Sequence, residues 1–162
     1  MAIPDIYLKL DSVDGEAKDQ KHSGEIEIMS FSFGVSNAGS GAIGKGSGSS
    51  KANLSDLHVT KYVDKSSPGL FQGCCIGKSY PKATLTVRKA GGDNQVEYLK
   101  YDMDEVFITS VQTSGSDGGG IATETASLNF AKMEVTYTEQ NADGSAGAST
   151  PKWYNVKEHT HG

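Results

Sequence analysis

The sequence predicts a mainly β fold, a β-barrel-like pair of bent antiparallel sheets with one short flanking α-helix. Three observations lead there. Apolar residues alternate at a period of two through most patterned stretches. The longest of these stretches change phase midway. Only one stretch carries apolar residues at helical spacing.

The elements follow in chain order. Ile6, Leu8 and Leu10 alternate with Asp5, Tyr7 and Lys9, which predicts a half-buried strand. Between Glu25 and Ser36, Ile26 and Ile28 hold one phase and Met29, Phe31, Phe33 and Val35 hold the other. Leu57-His58-Val59 reads as a further strand, with His58 at the surface or a contact. Ser66 or Ser67 can cap a helix that Pro68 opens, Gly77 can stop, and Leu70, Phe71, Cys74 and Cys75 stripe. Ala83, Leu85 and Val87 alternate with Thr84, Thr86 and Arg88. Over 96–109 the phase runs Val96 and Tyr98, then Leu99, Tyr101 and Met103, then Val106 and Ile108. Over 123–138 it runs Ala126, Leu128 and Phe130, then Met133, Val135 and Tyr137. Side chains on a strand alternate strictly, so each change of phase requires a bulge or a bend, as where strands turn corners in barrels and orthogonal sandwiches. A short last strand is expected near 152–157, followed by a disordered tail.

The chain is 162 residues long, which fits one domain over 1–162. Its 20 glycines are in excess, but they follow no Gly-X-Y period and prolines number only 4, which excludes collagen. They gather with serine in connections, chiefly 37–52, 114–120 and 141–150. The formal charge is −5 and Arg88 is the single arginine, which argues against a nucleic-acid partner. No apolar run reaches the roughly 18 residues of a membrane-spanning helix, so no membrane insertion is expected. Met1–Ile6 lacks the basic and apolar regions of a secretory signal, so the chain is expected to be cytoplasmic at first.

Candidate chemistry is thin. Gly39-Ser40-Gly41-Ala42-Ile43-Gly44 spells G-x-G-x-x-G, and Lys45 almost completes a phosphate loop. Phosphate binding needs a helix N-terminus directly afterwards, and Gly46-Ser47-Gly48-Ser49-Ser50 is a poor helix start. Adjacent Cys74 and Cys75 make neither a disulfide framework nor a zinc site, and a buried apolar role is expected of them. His22 lies in a charged loop without a nucleophile near it. His159 and His161 have no third ligand nearby. Asp102, Asp104 and Glu105 lack the spacing of a calcium loop and are expected to form a solvated or intersubunit patch. No catalytic, cofactor or metal residue is therefore assigned, and the chain is expected not to be an enzyme.

What remains lies on strand faces. Opposite Phe31 and Phe33 stand Ser30, Ser32, Gly34 and Ser36, small and uncharged where a solvent face would ordinarily carry Lys and Glu. Such a face suits a lining or a contact.

Together these stretches resemble the haemolysin-coregulated protein family, the inner-tube subunits of bacterial type VI secretion systems. The residues that carry the resemblance are Asp5-Ile6-Tyr7-Leu8-Lys9-Leu10, Asp19…His22…Glu25-Ile26, Phe31-Ser32-Phe33-Gly34, and Thr60 through Pro68. Tyr80-Pro81-Lys82-Ala83, Arg88-Lys89-Ala90-Gly91-Gly92 and Ser127-Leu128-Asn129-Phe130-Ala131-Lys132 add to it. Residues 141–162 are the part least like the family. The resemblance implies hexameric rings that stack into a tube, driven out of the cell by a contractile sheath behind a spike protein, with small effectors held in the lumen. It also relates the architecture to phage tail-tube proteins. On this reading Ser30, Ser32 and Ser36 are candidates for the lumen, and the loop bearing Gly39, Gly41, Gly44, Lys45, Gly46 and Gly48 is a candidate for ring stacking. Two alternatives are a phage-like tail-tube protein and a monomeric ligand-binding β-barrel; for the latter, aromatic residues at 8% are few.

Overall fold

The computed structural model describes residues 5–37, 52–89 and 95–162. In chain order the elements are β1 (Ile6–Leu10), β2 (Ile26–Glu27), β3 (Ser30–Ser32), β4 (Val35–Asn37), β5 (Ala52–Leu54), β6 (Leu57–Tyr62), α1 (Ser67–Ile76), β7 (Ser79–Arg88), β8 (Glu97–Ser114), β9 (Thr123–Gln140), β10 (Ala146–Asn155) and β11 (Thr160–His161). All pairings are antiparallel. The main sheet runs β11-β10-β9-β8-β7-β1-β2. It forks at β9, whose first half pairs with β6 and whose second half pairs with β10. β3 extends the fork beyond β6, while β4 and β5 form a separate hairpin.

The phase changes read between Met103 and Val106 and between Phe130 and Met133 are one crease, which β7 shares, while the change between Tyr98 and Leu99 falls at the register shift between Val87 and Arg88. Tyr80, Val106 and Phe130 are register partners in one row, and Ala83, Met103 and Met133 in another. All six side chains are buried. Two residues separate the rows on each strand, where a flat strand would place one. The register is unchanged across the gap, so the three strands bend together. Glu105 takes a left-handed φ of 52° at the crease, and opposite it stands Pro81, which has no N–H to donate.

The stretch from Glu25 to Ser36 changes phase in another way: it changes partner. β2 pairs with β1, β3 with β6 and β4 with β5. At these transfers Met29 and Val35 lose the core and lie exposed, against the alternation expected of them. Phe31 and Phe33 are half-buried against the core, edge-on to Tyr101.

The helix forms where expected, with Pro68 in its first turn and Gly77 closing it at φ 62°. Its buried strip differs. Leu70 and Gly73 face the core, whereas Phe71 and Cys75 are exposed and Cys74 is half-buried. A Cβ on Gly73 would sit 2.0 Å from the Tyr80 hydroxyl, so close approach to β7 decides the facing side. The Ser66 side chain does not cap the helix. The start is pinned instead by Lys61, wholly buried, whose ammonium meets Asp64 at 3.0 Å and Glu124 at 3.1 Å. Ser67 Oγ donates to the same Glu124 at 3.2 Å.

The C-terminal end corrects two expectations. β10 begins at Ala146, not near residue 152, and leaves only a short turn after β9. The tail is paired rather than disordered: β11 lies on β10, and Gly162 exchanges backbone hydrogen bonds with Trp153 at 2.9 and 3.1 Å.

Candidate functional site: a charge-free sheet face

Register partners in a sheet project to the same side. In the four-stranded part of the fold, β3-β6-β9-β8, the pairing aligns Ser30, Thr60, Thr125 and Gln112 in one row. The next row holds Ser32, His58, Ser127 and Ser110. Tyr62, Thr123 and Ser114 make a third. No side chain in these rows is acidic or is Lys or Arg. The opposite side of the same strands is core: Phe31, Val59, Ala126 and Val111 in one row, Leu57, Leu128 and Ile108 in another.

Hydroxyls close the centre of this face. The β8–β9 register slips between Ile108 and Ser110, and the bulge turns both Thr109 and Ser110 outward. Thr109 Oγ1 meets Ser127 Oγ at 2.8 Å and donates to Asp56 at 2.7 Å. Ser110 Oγ also hydrogen-bonds Ser127 Oγ. Asn129 donates to Asp56 at 3.0 Å, so the carboxylate bordering the face is satisfied locally.

Beyond the crease the outward surface changes character. Lys82 pairs with Asp104 at 3.3 Å, Thr84 donates to Asp102 at 2.9 Å, and Lys157 pairs with Glu105 at 3.0 Å. Lys132 stands 4.5 Å over the Trp153 ring. This is an ordinary mixed-charge surface, so one bent sheet presents two chemically different outer faces. Asp102, Asp104 and Glu105 lie on this side, and the described residues contain no group of three or more ligands able to hold a metal ion.

Ser30 and Ser32 are exposed on β3 and lie within the hydroxyl face. Ser36 is also exposed, but it belongs to β4 and pairs with Asn53 in the separate hairpin. Gly39, Gly41, Gly44, Lys45, Gly46 and Gly48 lie outside the described residues.

A second polar arrangement was not foreseen. Tyr7 and Arg88 occupy the polar phase of their strands yet are buried, because residues 11–25 fold back over them. Ala17 N–H donates to Glu25 O at 3.0 Å and Gly15 N–H to Gly24 O at 2.8 Å, closing that excursion into a compact cover. His22 is buried within it, with Nδ1 2.8 Å from Glu25 and Nε2 2.7 Å from Glu97. Arg88 donates to Tyr7 Oη at 2.9 Å and to Asp19 at 3.0 Å. Burial pushes the Tyr7 phenol up, and the Arg88 hydrogen bond holds Asp19 below the usual carboxylate range. The sequence signal was present in the spacing of Asp19, His22 and Glu25 and in the lone arginine. Arg88 and His22 each meet two partners through these bonds, while the buried Arg88 Nε is left without one.

The comparisons with known proteins agree with this fold. The family model described as "Type VI secretion system effector, Hcp" matches residues 7–137. Protein hcp1 of Pseudomonas aeruginosa is 46% identical over 155 residues, spanning 95% of this chain and 96% of that protein. A solved structure described as a type six secretion system protein superposes with a TM-score of 0.90 at 30% identity, covering 98% of this chain and 99% of that one. Hcp1 of Salmonella typhimurium gives a TM-score of 0.79 at 35% identity, with 99% of both chains covered. With the family model spanning most of its length and that degree of identity, this chain belongs to the Hcp family of type VI secretion proteins.

Proposed function

We propose that the chain is the tube subunit of a type VI secretion system, that six copies close into a ring, and that the hydroxyl face lines the channel. The observation that carries this reading is the contrast between the two outer faces. A wall of Ser, Thr, Gln, one His and one Tyr offers shallow hydrogen bonding without fixed charge, so small folded cargo can be held weakly and released. The mixed-charge face beyond the crease suits the outside of a tube in water.

Ring closure is supported by the edges of that wall. Among the described residues β3 pairs only with β6, and the 108–114 half of β8 pairs only with β9. The four-stranded wall therefore has an unpaired edge on each flank. Unlike edges that face opposite ways join head to tail, and such contacts close into rings when the rotation allows. The role is one of shape and packing, not of catalysis. Spike, sheath and effectors are the partners this reading implies, with export through the apparatus as the route out of the cell.

Ser30 and Ser32 are assigned to the channel wall, and Ser36 to the hairpin beside it. Ser32→Gln, projecting a longer amide into the channel, is expected to leave the ring mass by light scattering unchanged and to abolish co-purification of a small effector. A Ser32→Gln ring that retains and exports cargo normally overturns the channel assignment. A monomeric mass for the wild-type protein overturns the ring. The segment with Gly39, Gly41, Gly44, Lys45, Gly46 and Gly48 is assigned to contacts between stacked rings. Deleting residues 41–49 is expected to preserve rings and abolish tubes; tubes of ordinary length would remove that assignment.

A further inference from the structure

We propose that the His22 imidazole is held with a proton on both ring nitrogens and serves as a pH-sensitive latch, fastening the cover of residues 11–25 to Glu97, the first residue of β8. While that proton is in place, the cover stays closed over Tyr7 and Arg88.

Two carboxylates converge on one ring. Glu25 Oε2 lies 2.8 Å from Nδ1, and Glu97 Oε1 lies 2.7 Å from Nε2. A neutral imidazole has one N–H and one lone pair, and an ionised carboxylate can only accept. A neutral ring would therefore press one carboxylate oxygen against a lone pair at hydrogen-bond distance. With both nitrogens protonated, the two contacts become charge-assisted hydrogen bonds. His22 is only 6% exposed, so little water reaches it to relieve a mismatch. The Tyr7 ring lies flat against it and holds the plane in which both contacts are made.

The surrounding charges point the same way. Tyr7 comes from β1, Arg88 from β7, Glu97 from β8, and Asp19 and Glu25 from the cover itself. Asp5 and Glu27 add negative charge around Tyr7, while Lys18 and Lys21 of the cover lie exposed. The Arg88 charge is answered by Asp19 at 3.0 Å, so His22 is the group placed to serve Glu25 and Glu97 as their cation. Glu97 is also the register partner of Arg88, which puts both fastenings of the cover on neighbouring strands. A histidine in an unfolded chain releases its proton near about pH 6.5. A folded state that keeps the proton loses that stabilisation as pH rises. The latch is thus closed at neutrality and on the acid side, until the carboxylates themselves take up protons, and it opens in alkali.

The test uses the full-length protein carrying isotope-labelled histidine, with His22→Gln to identify the signals of that ring. At neutral pH both His22 nitrogens are expected to show the NMR shifts of protonated nitrogens. A lone-pair nitrogen in His22 at neutral pH overturns the latch. Independently, amide exchange is followed at Ala17 and Gly24, whose N–H groups close the cover. Their protection is expected to fall as pH rises above neutrality, beyond the ordinary acceleration by base. Glu97 is partly exposed, and Glu97→Gln keeps an acceptor there while removing the charge. That variant is expected to move the loss of protection about one pH unit lower. Cys75, His58, His159 and His161 are unchanged in it, so their titration cannot produce the shift. Protection that falls at the same pH in wild type and in Glu97→Gln overturns the latch as well.

Discussion

The imidazole of His22 lies flat on the Tyr7 ring, with centroids 4.5 Å apart and planes 6° from parallel. The Arg88 guanidinium carbon stands 4.8 Å from the centre of the same ring. A strand residue in the polar phase is thereby contacted by an imidazole and a guanidinium, and carboxylates lie within hydrogen-bond distance of both. Replacing His22 with Phe keeps the stack and removes both hydrogen bonds, leaving Glu25 and Glu97 without that partner. The expected cost is about 1–3 kcal/mol, read as a lower urea midpoint at constant slope, with His22→Ala costing more because the stack is lost too.

Asp19 gives the cluster an acid limit. Its carboxyl titrates below the ordinary range because Arg88 hydrogen-bonds it, so the native state binds fewer protons there than the unfolded chain. Its contribution is complete above the unfolded value, about 3.9, and is lost as pH falls through the lower native value. Asp19→Asn is therefore expected to lower stability at pH 7 and to flatten the fall in thermal midpoint below about pH 4. A variant with an unchanged acid limb would show that the pair contributes nothing.

Lys61 is fully buried, and its charge is answered by Asp64 and Glu124. Lys61→Met is expected to cost about 3–5 kcal/mol, because two carboxylates then stay in the interior without their cation. The double variant Lys61→Met, Glu124→Leu should recover much of that loss, since one buried charge leaves with the other. A double-mutant cycle in urea measures the difference.

Glycine is required at two close approaches. A Cβ at position 15 would lie 2.3 Å from the Glu25 carbonyl oxygen, and one at position 73 would lie 2.0 Å from the Tyr80 hydroxyl. The first contact is with backbone and the second with a removable atom. Gly73→Ala is expected to cost about 1–3 kcal/mol and to be partly rescued by Tyr80→Phe. Gly15→Ala should cost at least as much, with no side-chain change able to relieve it, as thermal midpoints of the variants would record.

Thr125 sits in the centre of the hydroxyl wall and is exposed. Thr125→Lys is expected to change fold stability by no more than about 0.5 kcal/mol and to leave the ring mass intact. Its effect should fall on cargo: basic effectors lose retention and acidic ones gain it, measured by pull-down on immobilised rings.

Much of the fold was legible in the chain. Period-two alternation located the strands, Pro68 and Gly77 bracketed the helix, and the phase changes on 96–109 and 123–138 announced a bend. The reason is local: alternation records which side of a strand is buried, and a missed beat records where that side turns. The small polar residues opposite Phe31 likewise pointed to Ser30 and Ser32. Position on the helix was less legible, because Leu70, Phe71, Cys74 and Cys75 are all apolar enough for a core. Only the nearness of Tyr80 to Gly73 selects the buried strip.

The sequence by itself determined a mainly β chain with bent strands, one helix, a charge-poor strand and a family signature. The tertiary structure decided what no single segment contains. Sheet pairing brought serines and threonines from β3, β6, β9 and β8 into one uncharged wall, though each strand supplies only one to three of them. Folding of residues 11–25 over β1 and β7 turned Tyr7, His22 and Arg88 from apparent surface into interior. Both outcomes depend on register and on long-range packing between residues distant in sequence. Local periodicity reports which side of a strand faces away from solvent, and it is silent on what a neighbouring segment will later cover.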